Sequence, residues 1–419
     1  MQLCTDVVIF GGGVAGLWAL DQLTEAGYSA VLLESRGLGA GQSIAAQGII
    51  HGGLKYSLQG MLTASAAEIR EMPHLWKSCL EGRQLPDLSA VKVRSPFCYL
   101  WRTDSMRSRL GMVGARIGLR VAPQSVSPAE LPDVLRQCPG SVARLAEPVI
   151  DPGSLLETFR QRHQSRLLQI SPDVAPEFEL NGTGDVRSIR ITSPDERQTL
   201  RLLPQMTVLT AGAGNAGLRS LLRLPGQKMQ TRPLHMVLVR GDLPELNGHC
   251  VDGARTRATI TADVDQAGRR VWQVGGQLAE EGVQQTPEQL LSHAMQELQE
   301  VLPGFDLSGT EWATYRVDRA EQATRGGLRP ESPGVLTEGN VLSCWPAKLA
   351  LAPQLATMIV QAVGQHAAFR TTAPLARGLA QTPATPEGWP VPDVAAPPWE
   401  RNQDWVPFSS RPGERRAAA

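Results

Sequence analysis

Residues 5–34 read TDVVIFGGGVAGLWALDQLTEAGYSAVLLE, and this stretch sets the fold. Thr5 to Phe10 is a short apolar, β-rich run of the kind that forms a buried parallel strand. It passes into Gly11-Gly12-Gly13-Val14-Ala15-Gly16, after which Leu17, Leu20 and Leu23 recur at helical spacing and Gly27 supplies a stop. Ala30 to Leu33 is a second apolar strand, ending on Glu34. Strand, glycine turn, helix, strand and terminal acid together predict a dinucleotide-binding βαβ unit. Gly11 permits the tight turn, Gly13 lets backbone approach a pyrophosphate, and Gly16 lets the helix pack closely on the strand. Val14 and Ala15 lie at the helix N-terminus, where free amides and a partial positive charge meet the phosphates. Glu34, 23 residues beyond Gly11, is spaced to accept hydrogen bonds from ribose hydroxyls. This unit alone does not separate FAD from NAD.

The continuation does. Residues 35–60 read SRGLGAGQSIAAQGIIHGGLKYSLQG, a small-residue stretch suited to laying backbone amides against a flat ring system. Residues 49–56, IIHGGLKY, carry a histidine and a lysine just beyond it. The segment resembles the FAD-dependent family that includes D-amino-acid oxidase, sarcosine oxidase and glycerol-3-phosphate dehydrogenase. It is most similar to the glycerol-3-phosphate dehydrogenase branch, with Lys55 standing where that branch has arginine. Lysine keeps the charge but loses the bidentate fork that fits phosphate or carboxylate.

Further stretches extend the resemblance. Residues 208–214, VLTAGAG, look like the family's second cofactor strand and its Ala-Gly turn. Gly326-Gly327-Leu328-Arg329-Pro330 resembles the segment whose arginine holds the substrate anion. Trp345-Pro346-Ala347-Lys348-Leu349-Ala350 resembles a Gly-Gly-Lys-Leu-Thr segment beneath the flavin pyrimidine, with Pro-Ala in place of Gly-Gly. Residues 232–239, RPLHMVLV, are a looser match to a strand carrying a histidine.

The resemblance implies an α/β protein: a Rossmann-like FAD-binding domain and a discontinuous second substrate domain built on an antiparallel sheet. We expect the FAD-binding domain at 1–80, 145–230 and 316–370, and the substrate domain at 81–144 and 231–315. Residues 236–240, 256–262 and 271–275 read as strands of that sheet, and Thr286-Pro287 opens a helix. The arm 371–419 holds nine of the 31 prolines and three of the nine tryptophans. Such a segment forms no core of its own. It reads as an extended arm packed on its own domain, a disordered tail, or a partner-docking arm; Trp389, Trp399 and Trp405 favour packing.

The implied cofactor contacts are Gly11, Gly13, Val14, Ala15, Gly16, Glu34, Ser35, Ser43, Gln47, Gly48, Ala211, Gly212, Lys348 and Leu349. Flavin dehydrogenation of an alcohol needs a group that orients the substrate carbon toward flavin N5, a group that takes the hydroxyl proton, and positive charge at the N1–C2=O edge. His235 and His51 are alternative proton acceptors, since imidazole titrates near neutrality. His51 has two further readings, packing on the flavin edge or carrying the flavin covalently. Arg329, Lys55, Tyr56 and Arg316 are candidate substrate contacts; Arg316 and Arg319 read either as a third anion contact or as a charge-paired strand end. Lys348 at a helix start suits the developing negative charge on the ring.

Composition bounds the rest. Lys plus Arg and Asp plus Glu both number 41, so the surface is not basic enough to make nucleic acid the main partner. The six cysteines form no CxxC pair, which argues against zinc or dithiol motifs, and no metal is expected. No apolar run reaches the roughly 18 residues of a transmembrane span, and the strand beginning near residue 5 leaves no room for a signal peptide. A cytoplasmic location is expected, with contact at the inner membrane left open. The leading reading is an FAD-dependent dehydrogenase or oxidase of a small anionic hydroxy compound, passing electrons to quinone, oxygen or a protein. The alternatives are oxidation of an amino acid or secondary amine, and a flavin-binding partner protein without turnover.

Overall fold

The structure, a computed structural model, describes residues 1–52, 64–103, 124–252, 255–366 and 386–408, with backbone alone over 64–70. The opening run forms the strand Gln2–Phe10, the helix Val14–Glu25 and the strand Ala30–Glu34. The two strands pair in parallel, Val7 with Ala30 through Phe10 with Leu33, and the residues of that register are fully or almost fully buried. Burial on both faces explains why these strands are continuously apolar instead of alternating.

They lie inside an eight-stranded sheet. Its main order is Gly334–Glu338, Val341–Trp345, Thr199–Leu209, Gln2–Phe10, Ala30–Glu34 and Leu167–Gln169, with the hairpin Glu177–Leu180 and Val186–Thr192 paired beside Thr199–Leu209. Turns at 181–185 and 193–198 join these antiparallel strands, where Asn-Gly and Ser-Pro-Asp punctuate the sequence. Val14–Glu25 packs against Ala352–Gln365, Trp18 meets Trp76 edge-on at 4.7 Å, and Phe159 of the helix Pro152–His163 closes the layer.

The second sheet has nine strands in the order Val406–Pro407, Glu311–Gln322, Met229–Gly241, Arg270–Gly275, Arg255–Val264, Gly248–Asp252, Cys98–Arg102, Ala143–Leu145 and Gln124–Ser125. All its pairs are antiparallel except Gly248–Asp252 with Cys98–Arg102. The helix Pro287–Val301 covers one face; Thr286 and Gln289 complete a reciprocal cap, and Leu290, Leu291, Ala294, Leu298 and Val301 are buried. The boundary expected at 316 falls inside Glu311–Gln322. That strand pairs along twelve residues with Met229–Gly241 and so belongs whole to the second sheet.

The proline- and tryptophan-rich segment is an extended strap over its described residues, 386–408. Trp389 packs beneath the first sheet and donates its indole N–H to the Gln169 carbonyl at 2.8 Å. The backbone of Leu38 bonds to Asp393 and Ala395. Trp399 is then buried among Leu238, Val271 and Ala313 of the second sheet, and Val406–Pro407 adds its edge strand. Among the described residues no helix is long and apolar enough to cross a membrane.

Candidate active site

A cavity of about 440 Å³ begins at the glycine turn and runs between the two sheets. A second, of about 300 Å³, continues it; the two share Val14, Gln42, Ser43, Ala45, Val317 and Pro346 in their walls. At the turn, Gly11 has φ +103°, and a Cβ there would lie 2.4 Å from Ala211 Cα. A Cβ on Gly16 would lie 2.0 Å from the Gly11 carbonyl, so the helix touches the strand as the motif requires. Gly16 therefore lines neither cavity. Gly13, Val14, Ala15, Glu34, Ser35, Ser43, Ala211 and Gly212 all line the first. Glu34 accepts the Gly12 amide at 2.6 Å, and Ser43 Oγ accepts the Val14 amide at 3.1 Å. No acidic side chain occupies the first turn of Val14–Glu25. A glycine turn, an anion-compatible helix terminus and a carboxylate at the strand end fit the phosphates and ribose of a dinucleotide.

The second cavity receives the remaining candidates. Gln47, Gly48, His51, Arg329, Lys348 and Leu349 line it. Gln47 also spends its amide across the cleft, donating to the carbonyls of Thr259 and Gln273 at 3.0 Å each, and so ties the small-residue loop to the second sheet. Lys348 sits at the N-cap of the 3₁₀ turn Leu349–Leu351, which leads into Ala352–Gln365. Before it, Ala347 holds a left-handed φ of 61°, the conformation a glycine would take at that position. Lys55 and Tyr56 lie outside the described residues.

One expectation is corrected. His235 does not reach the cleft. Leu234 and Met236 line it, and strand alternation turns His235 to the opposite face, 1% exposed. There its Nδ1 donates to the Gly282 carbonyl at 3.0 Å, and its Nε2 lies 3.0 Å from Thr314 Oγ1, so both ring nitrogens are engaged. Burial first, with Arg316 adding to it, lowers its pKa. Arg316, which pairs with His235 across the strands, lies in the wall of the first cavity. Its guanidinium is held by the carbonyls of Val283 and Gln285 at 3.0 and 3.1 Å.

Arg319 lines the second cavity. Of Glu311–Gln322, Tyr315, Arg316, Val317, Asp318 and Ala320 line the first cavity, and Val317 and Arg319 the second. Arg319 donates to the Arg232 carbonyl and to Glu280, both at 3.3 Å, and burial lowers its pKa. Arg329 enters the same cavity with its Nε buried and lacking a hydrogen-bond partner.

His51 faces two residues that no sequence spacing pointed to. Glu147 is 4% exposed; its Oε1 accepts the Gly52 amide at 2.6 Å, and its Oε2 lies 3.4 Å from His51 Nδ1 and 3.8 Å from His249 Nε2. Burial opposes ionisation of Glu147, but the two facing imidazoles outweigh it and hold the carboxyl well below the usual range. Burial pushes the His51 imidazole down more strongly than Glu147 raises it. His249 Nδ1 lies 2.9 Å from Thr259 Oγ1. Topology makes this cluster: Gly248–Asp252 sits between Cys98–Arg102 and Arg255–Val264, and the segment after Ala143–Leu145 brings Glu147 under it. The six cysteines are all free; burial raises the thiol of Cys344, close in sequence to Lys348, well above its ordinary range.

A family model for FAD dependent oxidoreductases, DAO, matches residues 6–382. The chain is 39% identical over 366 residues to the probable FAD-dependent oxidoreductase PA4991 of Pseudomonas aeruginosa, spanning 85% of this chain and 90% of that protein. It is similar to the crystal structure of PA4991 with a TM-score of 0.79 at 34% identity, over 96% of this chain and 98% of the other. At the level of fold it is similar to glycine oxidase from Geobacillus kaustophilus (TM-score 0.60, 17% identity, 88% and 98% of the two chains). It is similar to the same degree to L-α-glycerophosphate oxidase from Mycoplasma pneumoniae with FAD bound (TM-score 0.60, 15% identity, 86% and 95%). These likenesses do not single out the glycerol-3-phosphate dehydrogenase branch to which the IIHGGLKY segment pointed. With its strands, its dinucleotide cleft and the family model all in agreement, this chain belongs to the DAO family of FAD-dependent oxidoreductases.

Proposed function

We propose that the protein oxidises a small anionic hydroxy compound to the corresponding carbonyl compound. The observation that carries this is the Arg329 guanidinium, which enters the cleft with an unpartnered Nε beside Arg319. A partly desolvated guanidinium is costly unless an anion meets it, and its planar fork matches carboxylate or phosphate. Lys348 lines the same cavity. FAD, held by Gly13, Val14, Glu34, Ser43 and Ala211, supplies the two-electron acceptor. Arg329 and Arg319 fix the anionic end of the substrate, Lys348 adds positive charge toward the ring, and the second sheet closes the cleft. His51, in the wall of the second cavity, takes the hydroxyl proton, a step that an alcohol requires and a neutral amine does not.

Anaerobic bleaching of the yellow holoenzyme tests the reading. Glycerol-3-phosphate and 2-hydroxy acids should bleach it, and amino acids should not. Arg329→Ala should lower kcat/KM about 100-fold, or about 2.7 kcal/mol, while FAD stays bound. Bleaching by amino acids alone, or unchanged kcat/KM in Arg329→Ala, would overturn the assignment.

A further inference from the structure

Outside the arginine pair, the strongest unexplained feature of the cleft is Glu147. It is a buried carboxylate with no arginine or lysine within 4 Å among the described residues, and its Oε2 meets only two imidazoles, both beyond an ordinary hydrogen-bond distance. Its side chain is 6% exposed. A bare carboxylate oxygen in that position costs several kcal/mol unless something positive meets it.

What surrounds it is two imidazole nitrogens. His51 Nδ1 stands 3.4 Å and His249 Nε2 3.8 Å from Oε2, and the three ligand atoms lie within 4.8 Å of one another. The 3.8 Å gap is too long for a hydrogen bond and the 3.4 Å gap is marginal. Both are close to the edge of a tetrahedron around a zinc-sized ion, about 3.4 Å for bonds of about 2.1 Å. The outer contacts fit the same reading. Thr259 Oγ1 engages His249 Nδ1 and leaves Nε2 for the centre. The Gly52 amide engages Glu147 Oε1 and leaves Oε2. Ligating imidazoles and carboxylates are ordinarily fixed by such second contacts. His249 and Glu147 are buried, whereas the His51 side chain is 40% exposed, so the fourth corner opens on the cleft.

We infer that His51, Glu147 and His249 form a binding site for a divalent transition-metal ion, of the zinc class, in the wall of the substrate cleft. Two imidazoles and one carboxylate are a borderline ligand set that suits zinc and cobalt and does not suit calcium or magnesium. The ion takes over the charge compensation that the two imidazoles otherwise give Oε2. It also occupies His51, so on the function proposed above it inhibits turnover. The binding itself is independent of that function.

The test is equilibrium dialysis of the FAD-loaded protein against Zn²⁺ without substrate, read by elemental analysis. One equivalent should bind saturably. Glu147→Gln and His249→Ala should each weaken it at least tenfold, while the exposed His74→Ala leaves it unchanged. Because either cleft variant could misfold, Co²⁺ is added to the wild-type protein as a second measurement. Four-coordinate Co²⁺ shows intense visible d–d bands at longer wavelength than the flavin, and Zn²⁺ should erase them. No saturable uptake, uptake indifferent to both cleft substitutions, or only the weak spectrum of six-coordinate Co²⁺ would overturn the site. A failure here leaves the bleaching result untouched, and the reverse also holds.

Discussion

At the scale of one residue, Ala347 carries a prediction of its own. Its φ of 61° is a conformation that costs an L-residue about 1–2 kcal/mol, and it stands immediately before Lys348 in the cleft wall. Glycine would remove that cost while adding about 0.4–1 kcal/mol of unfolded-state entropy to be lost. Ala347→Gly should therefore raise stability by about 0.5 kcal/mol, and Ala347→Val should lower it by more than about 1 kcal/mol. Urea midpoints at constant m-value report both; a loss of stability in Ala347→Gly would show that the turn does not store this strain. The replacement of Gly-Gly by Pro-Ala was legible in the sequence, but the backbone angle it forces was not. His51 shows the same limit from the other side. Its motif marked it as a cleft residue, yet Glu147 and His249 share no spacing with it, because only the strand order of the second sheet brings the three together.

Individual elements were easier to read than the direction each one faces. The strands around 236–240, 256–262 and 271–275 declare themselves through β-branched runs; the last two exist with slightly wider limits, and the first begins seven residues earlier, at Met229. Which residues of Met229–Gly241 meet the cofactor depends on which side the helices cover, and both sides of its centre are buried. Periodicity therefore could not separate His235 from Met236, and the looser histidine motif pointed to the wrong face. The arm is the opposite case, since its tryptophans announced packing without saying where. Trp399 fills a pocket formed by Leu238, Val271 and Ala313, under the Arg94 guanidinium, and lines neither cavity. Trp399→Ala should cost about 3 kcal/mol through the void it leaves. FAD affinity at low temperature should stay within about twofold of wild type. Chemical denaturation and flavin titration measure the two separately; a stability change under about 1 kcal/mol would mean the strap is not anchored there.

Across the whole molecule, the cofactor cleft is also the seam between the two sheets. Gly11, Glu34 and Ala211 come from the first sheet, and Tyr315, Val317 and Ala320 from the second, yet all six line one cavity. Beside the strap 386–408 and the apolar packing of Ile49 on Cys98, Leu100, Leu145 and Val251, the seam carries polar bridges: Gln47 to Thr259 and Gln273, the Tyr315 hydroxyl to the Ala45 carbonyl at 3.2 Å, and the Ala320 amide to Gln42 at 3.1 Å. Each is worth about 1 kcal/mol at most. A dinucleotide lying along the seam contacts both halves and binds only when they are assembled, so its binding energy adds to the stability of the assembled state. Stripping FAD should lower the thermal midpoint by several degrees and broaden the transition as the sheets lose coupling. Restoring FAD at 100 times its Kd should return about 2.7 kcal/mol, with each further tenfold excess adding about 1.4 kcal/mol. ADP, which fills the first cavity but lacks the ring that would extend into the second, should stabilise and sharpen the transition less than FAD. Calorimetry of apo, ADP-loaded and FAD-loaded protein separates these cases. An apo transition as sharp as that of the loaded protein would mean that the protein's own contacts couple the sheets, and that the flavin rests on a seam already closed.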